Sequence, residues 1–212
     1  MSSKKKLLRN SRLYVVIDKG VLKERPLIRT AERITRAGAQ IIQLRDKFRD
    51  KRAILKDALE LKGLLSKSGA LFIINDHIDI AMLVDSDGLH LGQQDLPVEA
   101  ARKLLGKDKI IGLSCHNIRQ ALEAQDRGLD YIGIGPIFPT STKPNTTAVG
   151  LDLISECRDR IRIPFFAIGG VTEKNIEMVS SYGGQRVAVC KAICTAKNIT
   201  AAAKNFYKLL HL

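Results

Sequence analysis

Eight short apolar runs, each followed by a longer stretch of helical period, divide this chain of 212 residues. The runs are Leu13–Asp18, Gln40–Arg45, Leu71–Asn75, Gly88–Leu91, Ile110–Ser114, Tyr131–Gly135, Phe165–Gly169 and Arg186–Cys190. They are rich in Val and Ile and lack polar alternation, as expected of strands covered on both faces. Helix-period segments lie near Leu27–Ala37, Lys51–Ser68, Ile78–Val84, Val98–Leu105, Ile118–Arg127, Leu151–Asp159, Glu173–Tyr182 and Ala201–Leu210. This alternation argues for a parallel sheet, because parallel neighbours need a crossover long enough to hold a helix. Eight units in so short a chain predict an α/β fold, a single-domain (β/α)8 TIM barrel over residues 13–212. A doubly wound open sheet is the competing topology. The G-x-G-x-x-G turn that marks its nucleotide-binding form is absent after the first strand.

Residues 1–12, MSSKKKLLRNSR, are basic and read as a flexible, solvated arm. The apolar run that follows, Leu13–Ile17, is too short for a signal-peptide core. Nowhere is there a run of about eighteen apolar residues. These features predict a cytoplasmic protein with no membrane span. Cys115, Cys157, Cys190 and Cys194 match no zinc spacing and read as reduced thiols. Lys and Arg number 35 against 22 Asp and Glu, a net charge of +13 that favours anionic partners. Nucleic acid is disfavoured, because aromatics are only 5%, Trp is absent and no basic stripe is interleaved with rings. Phosphorylated small molecules are the favoured partners. Monomer and homo-oligomer both stay open.

Barrels carry their active sites at the C-terminal ends of the strands, so those ends hold the candidates. The second strand ends in Gln43-Leu44-Arg45-Asp46-Lys47. Alternation puts Gln43, Arg45 and Lys47 on one side and Leu44 and Asp46 on the other. Two cations and an amide pointing together suit a phosphate or pyrophosphate; the alternative is an ordinary solvated strand end. Asn75 and Asp76 end the third strand, and Asp95 follows the fourth. Two carboxylates after adjacent strands suit Mg²⁺, which takes one or two carboxylates plus phosphate oxygens. Each could instead cap the helix that follows it. Ser114 ends the fifth strand, where His116 and Asn117 lead into a helix and Asn117 reads as its cap. His90, inside the fourth strand, reads as a satisfied core histidine.

The sixth strand runs into GPIFPTSTKP, and little regular structure fits between Pro136 and Gly150. A loop that long in a compact domain is commonly functional. Thr140, Ser141, Thr142 and Lys143 gather hydroxyls and a cation there, which reads as a phosphate-holding lid or as a solvated turn. Gly169 and Gly170 after the seventh strand, and Cys190–Lys191 after the eighth, fit a backbone phosphate cradle as well as they fit tight packing. Two phosphate sites at one mouth, one beside a metal, suggest group transfer with pyrophosphate leaving.

With QLRDK, INDHIDIA, GLHLGQQDLP, IGLSCHN, GPIFPTSTKP and AIGGV in this order, nearly the whole chain resembles the thiamine phosphate synthase family. The resemblance implies an Mg²⁺-dependent transferase on a (β/α)8 barrel. Its reaction joins hydroxymethylpyrimidine pyrophosphate to hydroxyethylthiazole phosphate, through a pyrimidine cation captured by the thiazole nitrogen. It implies that the stretch Gln43–Lys47, including Leu44 and Asp46, binds the pyrimidine substrate with Asn75, and that Asp76 and Asp95 hold the metal. Ser114 would meet the pyrimidine amino group. Thr140, Ser141 and Thr142 would hold the thiazole phosphate with Gly170, Cys190 and Lys191, and Lys143 the pyrophosphate. Arg45, Lys47, Lys143 and Ser114 would be the catalytic set. Lys191 stands where the family commonly has Ser. The alternatives are a thiazole tautomerase-like paralogue, which needs no metal–pyrophosphate half, and a non-catalytic binder of thiamine precursors.

Overall fold

The structure is a computed structural model describing residues 2–140 and 146–211. The elements run α1 (Ser3–Asn10), β1 (Leu13–Asp18), α2 (Lys19–Leu22), α3 (Leu27–Arg36), β2 (Ile41–Arg45), α4 (Lys51–Leu65), β3 (Leu71–Asn75) and α5 (Ile78–Leu83). There follow β4 (Gly88–Leu91), α6 (Val98–Leu105), β5 (Ile110–Cys115), α7 (Ile118–Asp126), β6 (Tyr131–Ile134), α8 (Asp152–Arg160) and β7 (Phe165–Ile168). The chain ends in α9 (Ile176–Ser181), β8 (Val187–Val189), α10 (Lys191–Cys194) and α11 (Ile199–Leu209). The eight strands close into one barrel in sequence order, and β8 returns parallel to β1 with Leu13 opposite Val187.

Strand alternation sorts the apolar side chains into two layers. Tyr14 and Val16 point into the barrel with Ile41, Ile73 and Phe166. Val15 and Ile17 point outward with Ile42 and Leu44, under the helices. Both layers are buried, which is why the strands read as continuous apolar runs rather than alternating ones. The helices cover the outer layer with one stripe each; α3 buries Leu27, Thr30, Ala31 and Ile34. Asp50, Asn117 and Asn198 cap α4, α7 and α11 by accepting a backbone N–H. Among the described residues no helix is long and apolar enough to cross a membrane.

The basic N-terminus departs from the expected flexible arm. Residues Ser3–Asn10 form α1, and Leu8, 1% exposed, joins the inner layer. Lys4 pairs with Asp87 at 2.7 Å and Lys5 with Asp130 at 2.7 Å. These carboxylates stand just before β4 and β6, at the N-terminal end of the barrel. An open barrel end would leave the inner layer wet, and α1 closes it with the two leucines of an otherwise basic segment. The one-turn helices α2 and α10 were also not anticipated. Both follow a strand directly and are too short to show a period.

Candidate active site

At the C-terminal ends of the strands lies a cavity of about 370 Å³. Its floor is aromatic. Tyr14, Tyr131 and Phe166 stand with ring centroids 5.3–5.9 Å apart. Gly112 makes room for this cluster, since a Cβ there would lie 2.1 Å from the Tyr131 ring. A hydrogen-bonded chain crosses the floor. Gln43 Nε2 donates to Tyr14 Oη at 2.6 Å, and the Tyr14 and Tyr131 hydroxyls are 2.9 Å apart. His90 Nδ1 lies 2.9 Å from Tyr131 Oη, and its Nε2 lies 2.9 Å from Ser114 Oγ. Burial pushes both phenol groups upward, so they stay protonated and serve as hydrogen-bonding groups. His90 is satisfied, as the sequence suggested, yet it lines the cavity and holds Ser114 in place. Sequence reasoning missed Tyr14 and Tyr131. The visible signal was a tyrosine on the inward side of two otherwise aliphatic strands.

Arg45 lines the cavity and pairs with Asp18, its register partner on β1. Asn75, 7% exposed, lines the same side. Lys47 reaches Asp76 with Nζ–Oδ2 2.7 Å. Asp76 takes a left-handed backbone, φ +61°, and its N–H donates to the His90 carbonyl at 2.9 Å. A non-glycine residue held there at a strand end marks a position the surrounding structure enforces.

Neither Asp76 nor Asp95 caps a helix. The residues at the starts of α5 and α6 are His77 and Pro97, and neither start has a side-chain cap. Instead Asp95 turns back to accept the Gly92 N–H at 2.6 Å, and its carboxyl group neighbours that of Asp76. Burial, then Asp95, push the Asp76 carboxyl upward. For Asp95, burial acts upward but is outweighed by the hydrogen bonds from Asp76 and Gly92. Two neighbouring carboxylates, a source of hard oxygens, are a donor set that a divalent cation satisfies. Among the described residues no cluster of three or more ligating side chains exists, so further oxygens would come from water or a bound phosphate.

Two residues of the expected substrate-binding stretch face elsewhere. Leu44, 2% exposed, packs in the outer layer. Asp46 binds Arg49 and accepts the N–H groups of Phe48 and Arg49, shaping the turn into α4. Alternation carries both away from the cavity.

On the opposite wall the chain leaving β6 runs beside β7, with Ile137 N–H donating to Ile168 O at 2.8 Å and Phe138 N–H to Gly169 O at 3.0 Å. Gly170 has φ +67°, and a Cβ there would sit 2.7 Å from Pro139 O, so only glycine lets this loop lie against β7. Thr140, Gly170, Cys190 and Lys191 line the cavity. Ser141, Thr142 and Lys143 lie outside the described residues. Further polar lining residues were not anticipated, among them His116, which holds Gly135 O through Nδ1 at 2.5 Å, Thr172 and Thr195. His116 stood at a strand end in the sequence, where position alone could have singled it out.

This geometry matches a known family. A family model described as thiamine monophosphate synthase matches residues 13–193. The chain belongs to that family. The thiamine-phosphate synthase of Shouchella clausii is 44% identical over 198 residues, covering 91% of this chain and 93% of the relative. That of Chloroflexus aurantiacus is 42% identical over 200 residues, covering 94% and 92%. The structure of thiamine phosphate pyrophosphorylase from Pyrococcus furiosus superposes with a TM-score of 0.87 at 31% identity, over 97% of this chain and 98% of that one. Family membership makes the chain an enzyme of the transferase class.

Proposed function

We propose that the chain makes thiamine phosphate, joining hydroxymethylpyrimidine pyrophosphate to hydroxyethylthiazole phosphate and releasing pyrophosphate. The observation that carries this reading is the pairing of two unlike walls over one aromatic floor. One wall holds Arg45 and Asn75, with Lys47, Asp76 and Asp95 at the strand ends just beyond it; the other holds Thr140, Gly170 and the Cys190–Lys191 segment.

In this reading the pyrimidine ring lies over Tyr14 and Phe166, with its amino group at Ser114, which His90 orients. Arg45 and Lys47 face the pyrophosphate, and their charge favours its departure. Bound at Asp76 and Asp95, Mg²⁺ would neutralise pyrophosphate oxygens and strengthen the leaving group. The C–O bond breaks, pyrophosphate takes the electron pair, and the thiazole nitrogen forms the new C–N bond. No proton has to move in that step. The thiazole phosphate sits against Gly170 and Lys191. The loop from Pro136 keeps water from the cation; Ser141, Thr142 and Lys143, outside the described residues, are proposed as further phosphate contacts.

The test mixes the protein with both substrates, in Mg²⁺ and in EDTA. We expect Mg²⁺-dependent pyrophosphate release matched one for one by thiamine phosphate. Binding of both substrates without turnover would contradict the reading and favour a binder of thiamine precursors.

A further inference from the structure

A second concentration of charge lies at the other end of the barrel. The end of α1, the loop entering β7 and the loop entering β8 enclose a cavity of about 330 Å³. Arg9, Arg158, Arg162 and Arg186 line it, each from a different segment, together with Ile163 and Phe165. None of the four lines the mouth, which lies at the opposite ends of the strands.

This charge is poorly compensated. Arg158 pairs with its neighbour Asp159 at 2.7 Å. Among the described residues no carboxylate pairs with Arg9, Arg162 or Arg186. Arg186 Nη2 donates to the Arg9 carbonyl at 2.9 Å, but its Nε is sealed from water and has no acceptor. A buried donor without an acceptor is costly and rare in a folded protein. Burial, and then the charge of Arg12, hold the Arg186 guanidinium below its ordinary range. The wall is also shaped for arginine. Gly183 has φ +95°, and a Cβ there would lie 2.5 Å from Arg158 Cδ, so the bare glycine gives the Arg158 stem its place on the cavity wall.

Planar guanidinium forks match pairs of phosphate oxygens, and several of them converging on one cavity suit a ligand with more than one negative charge. We propose that this cavity is a second anion site, separate from the mouth, that binds the diphosphate group of a free or nucleotide-borne polyphosphate. Such a ligand supplies the negative charge that the exposed guanidinium groups of Arg9 and Arg162 lack.

The experiment titrates inorganic pyrophosphate and, in parallel, ATP into the full chain in EDTA, by calorimetry and by thermal unfolding. It compares the unaltered protein with Arg162→Ala, Arg9→Ala and the mouth variant Lys47→Ala. Arg162 and Arg9 are exposed, so both variants should fold, with unchanged activity. We expect a binding event that survives Lys47→Ala and weakens on the order of tenfold or more in Arg162→Ala and in Arg9→Ala. The rise in Tm on adding the anion should shrink in step. Binding of both probes shows that the site admits nucleotides, and binding of pyrophosphate alone shows a site for the free anion. Binding that is lost in Lys47→Ala but unchanged in Arg162→Ala would assign it to the mouth and overturn the proposal. So would no binding of either probe, or binding only of single-stranded RNA with a steep salt dependence.

Discussion

At the scale of single residues, the reactivity of the thiols follows burial. Burial pushes the Cys115 and Cys157 thiols up to about 12, and Cys194 is fully buried. The thiolate is the reactive form, so Cys190, half-buried on the cavity wall, should be the one fast-reacting thiol at about pH 8. A disulfide reagent should count one rapid equivalent, slowed by a phosphorylated ligand; several rapid equivalents would contradict the packing. Lys191 lines the cavity, and we expect its side chain to add a phosphate contact. Lys191→Ser should raise KM for the thiazole phosphate about tenfold, the scale of one charge-assisted hydrogen bond; an unchanged KM would remove that role. The strand-end placement of Arg45, Lys47, Asp76 and Asp95 was legible in the sequence, because charge on a buried strand is tolerated only at its ends. Leu44 and Asp46 were misplaced because they were taken along with their neighbours, although alternation already turned them outward. The floor was not legible. Tyr14, His90 and Tyr131 meet only when β1, β4 and β6 curl into one barrel.

Among the elements, the strands were readable because both of their faces are buried and their apolar runs are unbroken. The helix α1 was not, since its partners Asp87 and Asp130 come together only after closure. Its contribution can be measured. Leu8→Ala should lower stability by about 2–5 kcal/mol, the usual range for a buried leucine, as read by urea unfolding. A loss near zero would mean that the barrel end is closed without α1. The chain from Gln43 to Ser114 depends on the Tyr131 hydroxyl. Tyr131→Phe keeps the ring but leaves Tyr14 Oη and His90 Nδ1 each short of a partner. It should cost about 1–3 kcal/mol in the same assay and raise KM for the pyrimidine substrate more than for the thiazole phosphate. Equal effects on both would separate the floor from pyrimidine binding.

Across the whole molecule, the net charge of +13 falls partly at two opposite places, a mouth with carboxylates among its cations and an arginine cavity with almost none. A barrel separates such ends by construction, because loops at the C-terminal ends of the strands are free to carry chemistry while those at the other end mainly hold the fold. We propose that Asp76 and Asp95 form the metal half of a pyrophosphate-releasing site. The most direct measurement is a Mg²⁺ titration of pyrophosphate release by the unaltered protein and by Asp95→Ala. The variant should lose on the order of a hundredfold in kcat/KM and need far more Mg²⁺ to reach half its rate, as expected when a metal worth several kcal/mol loses a ligand. A variant with the same Mg²⁺ requirement and the same rate would contradict the account.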